Sequence, residues 1–247
     1  MRNIKLTIEY DGSSFNGWQK QPNKLNIQGE IEKAIETVTG KKVELIGSGR
    51  TDAGVHAFAQ VANFKIDSDF PIEKVAIALN SQLKKSICIK KAEEVSEDFH
   101  SRYHCHQKTY GYIIDNSKQG TAIYRNLVYH VSQMLDTKAM QEAANYLIGE
   151  HDFSSFKSSG TSSKSSVRTI YAAQVLKEQE RVIIQLTGNG FLYNMVRIIA
   201  GTLVEIGLGI KTPEEMKTIL EAKDRQQAGK TLPPQGLFLM QVDYEEK

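Results

Sequence analysis

Apolar and polar residues alternate from Asn3 to Tyr10, with Ile4, Leu6, Ile8 and Tyr10 on one side, which is the period of a half-buried strand. The spacing then changes. Ile27, Ile31, Ala34, Ile35 and Val38 share one helical face across Ile27 to Thr39, and Gly40 supplies the stop. Between these elements, Asp11 to Lys24 is polar and rich in turn residues. Val43 to Ile46 and Gln60 to Ile66 have strand character, Pro71 to Leu83 reads as a helix opened by proline, and Ile87 to Val95 as another strand. Strands and helices alternating in this way predict an α+β half-molecule.

The pattern then repeats loosely. Lys108 to Asp115 and Leu127 to Val131 read as strands, and Asp136 is placed to cap a helix from Thr137 to Leu147. Eight of the thirteen residues from 154 to 166 are serine, which predicts a mobile surface loop. Arg168 to Lys177 and Arg181 to Thr187 predict a strand pair, and Phe191 to Gly207 a largely buried helix. Thr212-Pro213-Glu214-Glu215 has the form of a capping box before one more helix, and Gly236 to Tyr244 closes the chain as a strand. The divide falls near residue 105, giving halves of 1–105 and 106–247.

One loop stands apart from this pattern. Between the second and third strand-like runs lies Gly47-Ser48-Gly49-Arg50-Thr51-Asp52-Ala53-Gly54-Val55-His56-Ala57. Its glycines allow a tight turn and close approach to a ligand, and between them sit one cation and one carboxylate. It is not a P-loop, since no Lys-Ser/Thr follows the glycines, and no helix follows directly as a dinucleotide fingerprint requires. Taken alone, Arg50 and Asp52 would be read as a surface ion pair.

Composition sets the remaining bounds. At 247 residues, with 40% hydrophobic and 24% charged residues, the chain has the make-up of a globular protein with a substantial core. A net charge of +2 excludes a generally basic protein that coats nucleic acid. It leaves room for a local basic groove, to which Lys41-Lys42, Lys84-Lys85, Lys90-Lys91 and Arg102 are candidates, though each doublet singly reads as a solvated face. Two cysteines, Cys88 and Cys105, and an N-terminus without an apolar leader predict reduced thiols in a cytoplasm. The longest apolar run, Val196 to Ile210, is interrupted by Arg197, Glu205 and glycines, so no membrane span is expected.

The loop's Gly49-Arg50-Thr51-Asp52-Ala53-Gly54-Val55-His56-Ala57 resembles, without a gap, the signature of the tRNA pseudouridine synthase A family. Further stretches resemble that family in order. They are Tyr10-Asp11-Gly12, Phe15-Asn16-Gly17-Trp18-Gln19, Phe99-His100-Ser101-Arg102 (serine where the family has alanine) and Lys108-Thr109-Tyr110-Gly111-Tyr112. His151-Asp152-Phe153, Gly190 to Arg197 and Pro233-Pro234-Gln235-Gly236-Leu237 complete the set, so the likeness covers nearly the whole chain.

The resemblance implies the pseudouridine synthase fold: two ferredoxin-like α+β halves with mixed, mainly antiparallel sheets that join around a central catalytic cleft. It implies isomerisation of uridine to pseudouridine in the tRNA anticodon stem-loop, at positions 38 to 40. That reaction breaks N1–C1′ and forms C5–C1′ with no redox change, so neither cofactor nor metal is implied. Asp52 would be the catalytic carboxylate, acting as nucleophile on the sugar or the base or else as a base on the sugar, whereas a glycoside hydrolase usually needs two facing carboxylates.

Arg197 would pair with that carboxylate, Arg50 would hold RNA phosphate or brace the loop, and Tyr110 would hold the flipped base, its hydroxyl being also placed to serve in proton transfer. Without the resemblance, Arg197 reads as an arginine whose stem lies along apolar helix neighbours, and Tyr110 as a core residue of a strand alternating Tyr110, Tyr112, Ile114. The family also implies a homodimer that grips tRNA. Two other readings stay open: a pseudouridine synthase acting on another RNA, and a non-catalytic RNA-binding or folding protein. His100, His104, Cys105 and His106 invite a zinc reading, but the last three are extra to the family pattern, and no metal is expected. His151-Asp152 near serines lacks the Gly-x-Ser-x-Gly elbow of a hydrolase.

Overall fold

The computed structural model describes residues 1–160 and 165–244. The chain forms two compact units, Met1–His106 with Phe238–Lys247, and Gln107–Leu237. Both mix helices with mostly antiparallel strands, as expected of the α+β class.

In the first unit, β1 (Arg2–Tyr10) lies between β3 (His56–Ile66) and β4 (Ile87–Val95), antiparallel to both. The short β2 (Ile46–Gly47) pairs with β3. Helices α1 (Ile27–Thr39) and α2 (Ile72–Gln82) pack on each other, and α2 packs on β4. Ile4, Leu6 and Ile8 of β1 are buried together with Ile31 and Ile35 of α1 and Leu79 of α2, so the period-2 and period-3.6 stripes meet in one core. Helix α1 ends where glycine allows it. Asn26 caps its start by accepting the Gly29 N–H, and Gly40 closes it at φ 72°.

Strand β10 (Leu237–Tyr244) returns from the far end of the sequence to pair with β3 in parallel, Phe238 opposite His56 and Leu239 opposite Ala57. The Tyr244 hydroxyl then donates to the Ser101 carbonyl at 2.7 Å.

In the second unit, β5 (Cys105–Asp115), β9 (Arg181–Gly188), β8 (Val167–Glu178) and β7 (Gly149–Asp152) pair antiparallel in that order, and β6 (Tyr129–His130) runs parallel to β5. Helix α3 (Thr137–Asn145) packs on β8 and on α4 (Met195–Gly207), and α5 (Glu215–Ala222) packs on α3. Asp136 caps α3 by accepting the Lys138 and Ala139 amides. Helix α4 is apolar around most of its circumference and buried accordingly, with Ile198, Ile199, Ala200 and Leu203 fully enclosed.

Several local expectations need correction. Val43 to Leu45 is not a strand, because side chains of α1 take its backbone groups: Gln28 donates to the Leu45 carbonyl and the Leu45 amide donates to Glu32, each at 3.1 Å. The strand expected from Leu127 shrinks to Tyr129–His130, since the Leu127 amide closes a turn on the Tyr124 carbonyl. Helix α4 begins at Met195 rather than Phe191, because Met195 N–H closes a turn on Leu192 and Asn194 sits at φ 62°.

The serine-rich stretch opens as a buried 3₁₀ turn, Ser154–Phe156, with Ser155 donating to the Ile219 carbonyl, so it is no surface loop there. Residues 161–164 of that stretch lie outside the described residues. Of the capping box before α5, one half is present: Glu215 accepts the Thr212 amide at 2.6 Å. Among the described residues, no helix is long and apolar enough to cross a membrane.

Candidate active site

Asp52 occupies the first position of a turn closed by the Val55 N–H on the Asp52 carbonyl at 3.1 Å, with Gly54 at φ 77° inside it. Strand β3 starts immediately after this turn. The loop is therefore a short, tightly closed connection, and its side chain is half-buried.

A second loop, residues 11–18, holds it in place. The Trp18 amide donates to the Thr51 carbonyl at 3.0 Å. Two glycines permit the approach: a Cβ on Gly12 would lie 2.0 Å from the Val55 carbonyl oxygen, and one on Gly17 would lie 2.5 Å from that of Thr51. Gly12 N–H also donates to Nδ1 of the fully buried His56 at 3.1 Å. The glycines of Tyr10-Asp11-Gly12 and Phe15-Asn16-Gly17-Trp18-Gln19 are thus required by backbone-to-backbone packing against the Asp52 loop.

Polar side chains fix the loop from beneath. The Tyr10 and Thr51 hydroxyls are 2.7 Å apart, and both residues are buried. Burial pushes the Tyr10 phenol up in pKa, outweighing its hydrogen bonds to Thr51 and Gln60. Gln60, fully buried, accepts from the Ser48 hydroxyl at 2.7 Å and donates to the Gly49 carbonyl at 3.0 Å. These supports were not apparent from the linear sequence. Tyr10 and Gln19 belong to motifs whose spacing says nothing of hydrogen-bond partners, and Gln60 lies in a strand where one polar residue gives no signal.

Arg50 is exposed, and its Nε donates to Gln19 Oε1 at 2.9 Å. Gln19 in turn donates to Gln28 of α1, so the arginine is braced through glutamines rather than paired with a carboxylate across a hairpin.

In the second unit, Tyr110 and Tyr112 point to one side of β5. Tyr112 is fully buried and its hydroxyl donates to the Pro233 carbonyl at 2.7 Å. A Cβ on Gly236 would lie 2.8 Å from the Tyr112 ring, which accounts for glycine in Pro233-Pro234-Gln235-Gly236-Leu237. Tyr110 meets Phe191 edge to face, with ring centroids 5.1 Å apart. Arg197 lies in the first turn of α4. Its Nε donates to the Leu232 carbonyl at 2.6 Å and its Nη1 to Asn194 Oδ1 at 2.7 Å. Both bonds anchor the head group, unlike a side chain merely extending past apolar neighbours. Burial raises the Tyr112 phenol in pKa, against the lowering effect of the Arg197 charge.

Asp52 and Arg50 thus share one loop of the first unit, while Tyr110 and Arg197 belong to the second. The other candidates have local partners. His100 Nδ1 accepts the Arg102 and Tyr103 amides, and His104 Nδ1 accepts the His100 amide. Among the described residues no group of three His, Cys, Asp or Glu side chains is placed to hold a metal ion. His151 Nε2 lies 3.0 Å from the Ile148 carbonyl, and Asp152 engages Ser154 and Lys223. Of the lysine doublets, Lys41, Lys42, Lys84, Lys90 and Lys91 each lie within ion-pair distance of a carboxylate, which reduces their use as phosphate contacts.

Comparison with known proteins bears on this arrangement. A family model described as tRNA pseudouridine synthase matches residues 6–104 and 143–245. The tRNA pseudouridine synthase A of Caldicellulosiruptor saccharolyticus is 55% identical over 244 residues, covering 99% of this chain and 100% of that protein. Proteins of the same name from Acetivibrio thermocellus and Clostridium acetobutylicum are each 50% identical over the same coverage. With the family model spanning most of the residues and relatives matched along their full length, the chain belongs to the tRNA pseudouridine synthase family.

Proposed function

We propose that this protein isomerises uridine to pseudouridine in the anticodon stem-loop of tRNA, as a cytoplasmic homodimer, with Asp52 as the nucleophile. The observation that carries the reading is the closed Asp52 turn, whose neighbours Thr51 and Arg50 are each held by a separate partner. A carboxylate meant to meet one sugar or base carbon has to be held still, and this loop holds its backbone on both sides.

The remaining residues take roles that follow from their chemistry. Tyr110 offers a ring, edged onto Phe191, against which an extruded uracil stacks. Arg197, anchored at two nitrogens, is the cation that the family resemblance pairs with the catalytic carboxylate. Arg50, exposed and braced by Gln19, meets the RNA backbone.

In the reaction, Asp52 bonds transiently to the sugar or base, the N1–C1′ bond breaks, the uracil turns, and C5 bonds to C1′ while the bond to Asp52 is broken and the carboxylate is regenerated. C5 then loses its proton and N1 ends carrying one, so atoms and electrons balance without any cofactor. Mapping pseudouridine in tRNA from cells with and without this protein tests the reading. The expected result is loss of the anticodon-arm modification alone. An unchanged tRNA map would refute it.

A further inference from the structure

Thr51 is the residue immediately before Asp52, and it is held at two points. Its carbonyl accepts the Trp18 amide at 3.0 Å, and its hydroxyl lies 2.7 Å from that of Tyr10. Tyr10 is the last residue of β1, beyond a shift in register with β3: Ile8 faces Gln60, whereas Tyr10 faces Ala57. That irregularity brings the phenol under the loop instead of leaving it in step with the ladder. Tyr10 is 3% exposed and Thr51 6%, so water does not replace either hydroxyl's partner. The Tyr10 ring also rests on Trp18 with centroids 6.1 Å apart, the same residue whose amide holds the Thr51 carbonyl.

We infer that Tyr10 is a positioning residue for catalysis: through its hydrogen bond to Thr51 it sets the backbone from which the Asp52 carboxylate projects. The inference rests on the proposed role of Asp52. It differs from a stability role in what it predicts. The ring packing of Tyr10 supports the fold, whereas its hydroxyl, a single atom, supports the aim of the loop. Misplacing a catalytic group by a fraction of an ångström slows the chemical step without altering contacts to the rest of a large substrate.

Four variants separate these roles: Tyr10→Phe, Thr51→Val, Thr51→Ser and the double variant Tyr10→Phe/Thr51→Val. Each is measured for single-turnover rate on saturating tRNA transcript, for tRNA Kd by filter retention, and for Tm. Tyr10→Phe and Thr51→Val are each expected to slow turnover about tenfold or more, with Kd within about twofold of wild type. Thr51→Ser, which keeps the hydroxyl, is expected to retain a rate within about threefold of wild type, and the double variant to be no slower than either single one. Wild-type turnover in Tyr10→Phe overturns the inference, as does a Thr51→Ser variant as slow as Thr51→Val. Where Tyr10→Phe does not fold, the comparison of serine with valine at position 51 decides alone. Asp52→Asn is run beside them: if it turns over normally, the role of Asp52 fails, whereas an inactive Asp52→Asn with a normal Tyr10→Phe overturns only the positioning role.

Discussion

Asn194 holds Arg197 from a backbone conformation that few side chains adopt. At φ 62° its Oδ1 accepts from Arg197 Nη1 at 2.7 Å, while its Nδ2 donates to Ser158 Oγ at 2.9 Å. Asparagine is among the residues that tolerate this region best, and here its amide serves both neighbours at once.

That relationship gives a paired prediction. Asn194→Gly keeps the backbone and removes the clamp, so turnover should fall about tenfold or more if Arg197 has to be oriented for the reaction. Asn194→Ala should lose as much activity and be less stable than the glycine variant by about 1 kcal/mol, the strain of a Cβ at positive φ. Urea unfolding and turnover assays read the two effects separately. Full activity in the glycine variant detaches Asn194 from the function of Arg197.

Asp52→Asn is expected to reduce pseudouridine formation by about 10³-fold or more, because the amide is neither nucleophile nor base. Affinity for tRNA should stay within about threefold, since it arises from many phosphate and shape contacts. Tritium release from C5-labelled tRNA and filter retention measure the two quantities.

Gly12→Ala should damage the loop from a distance. Its Cβ would meet the Val55 backbone oxygen at 2.0 Å, and no rotamer change relieves a clash with backbone. A loss of about 2–3 kcal/mol is expected, with turnover falling alongside it. Gly40→Ala is the control, for its Cβ meets nothing within 4 Å and only its φ of 72° is unfavourable. It should cost about 1 kcal/mol and leave activity intact.

The Asp152 carboxylate makes stability depend on acid. The Ser154 hydroxyl bond lowers its pKa most, burial opposes this, and the Ser154 amide and Lys223 add to the lowering. A folded-state value below the unfolded one means that, between the two, the unfolded chain binds more protons, so stability rises with pH there. The contribution is complete above the ordinary aspartate value of about 3.9 and fades as the pH falls through the folded value. Asp152→Asn should therefore lag behind wild type at neutral pH, and the gap should close in acid. Denaturant midpoints across that range check it; a gap that widens in acid contradicts the sign.

A homodimer should give about twice the 27.7 kDa chain mass in light scattering at micromolar concentration. Binding to tRNA should weaken steeply with added salt. A fully active monomer at every concentration overturns the dimer.

The sequence by itself determined the elements whose signals are local. Helix α1 runs over the residues that its apolar stripe and Gly40 mark, Asp136 caps α3, and β4 keeps its expected bounds. The Gly49 to Ala57 signature likewise marks Asp52 as the candidate catalytic carboxylate. Each of these depends on neighbours within a turn or two, where backbone sterics and capping bonds act.

What only the tertiary structure decided depends on residues distant along the chain. Val43 to Leu45 loses its strand because Gln28 and Glu32 reach its backbone from α1. Strand β10 joins β3 in parallel across the length of the sequence. The Tyr10 hydroxyl finds Thr51 forty-one positions away, and Arg197 finds the Leu232 carbonyl thirty-five away. Such contacts follow from which buried polar groups need partners once the core has closed, and periodicity carries no information about that choice.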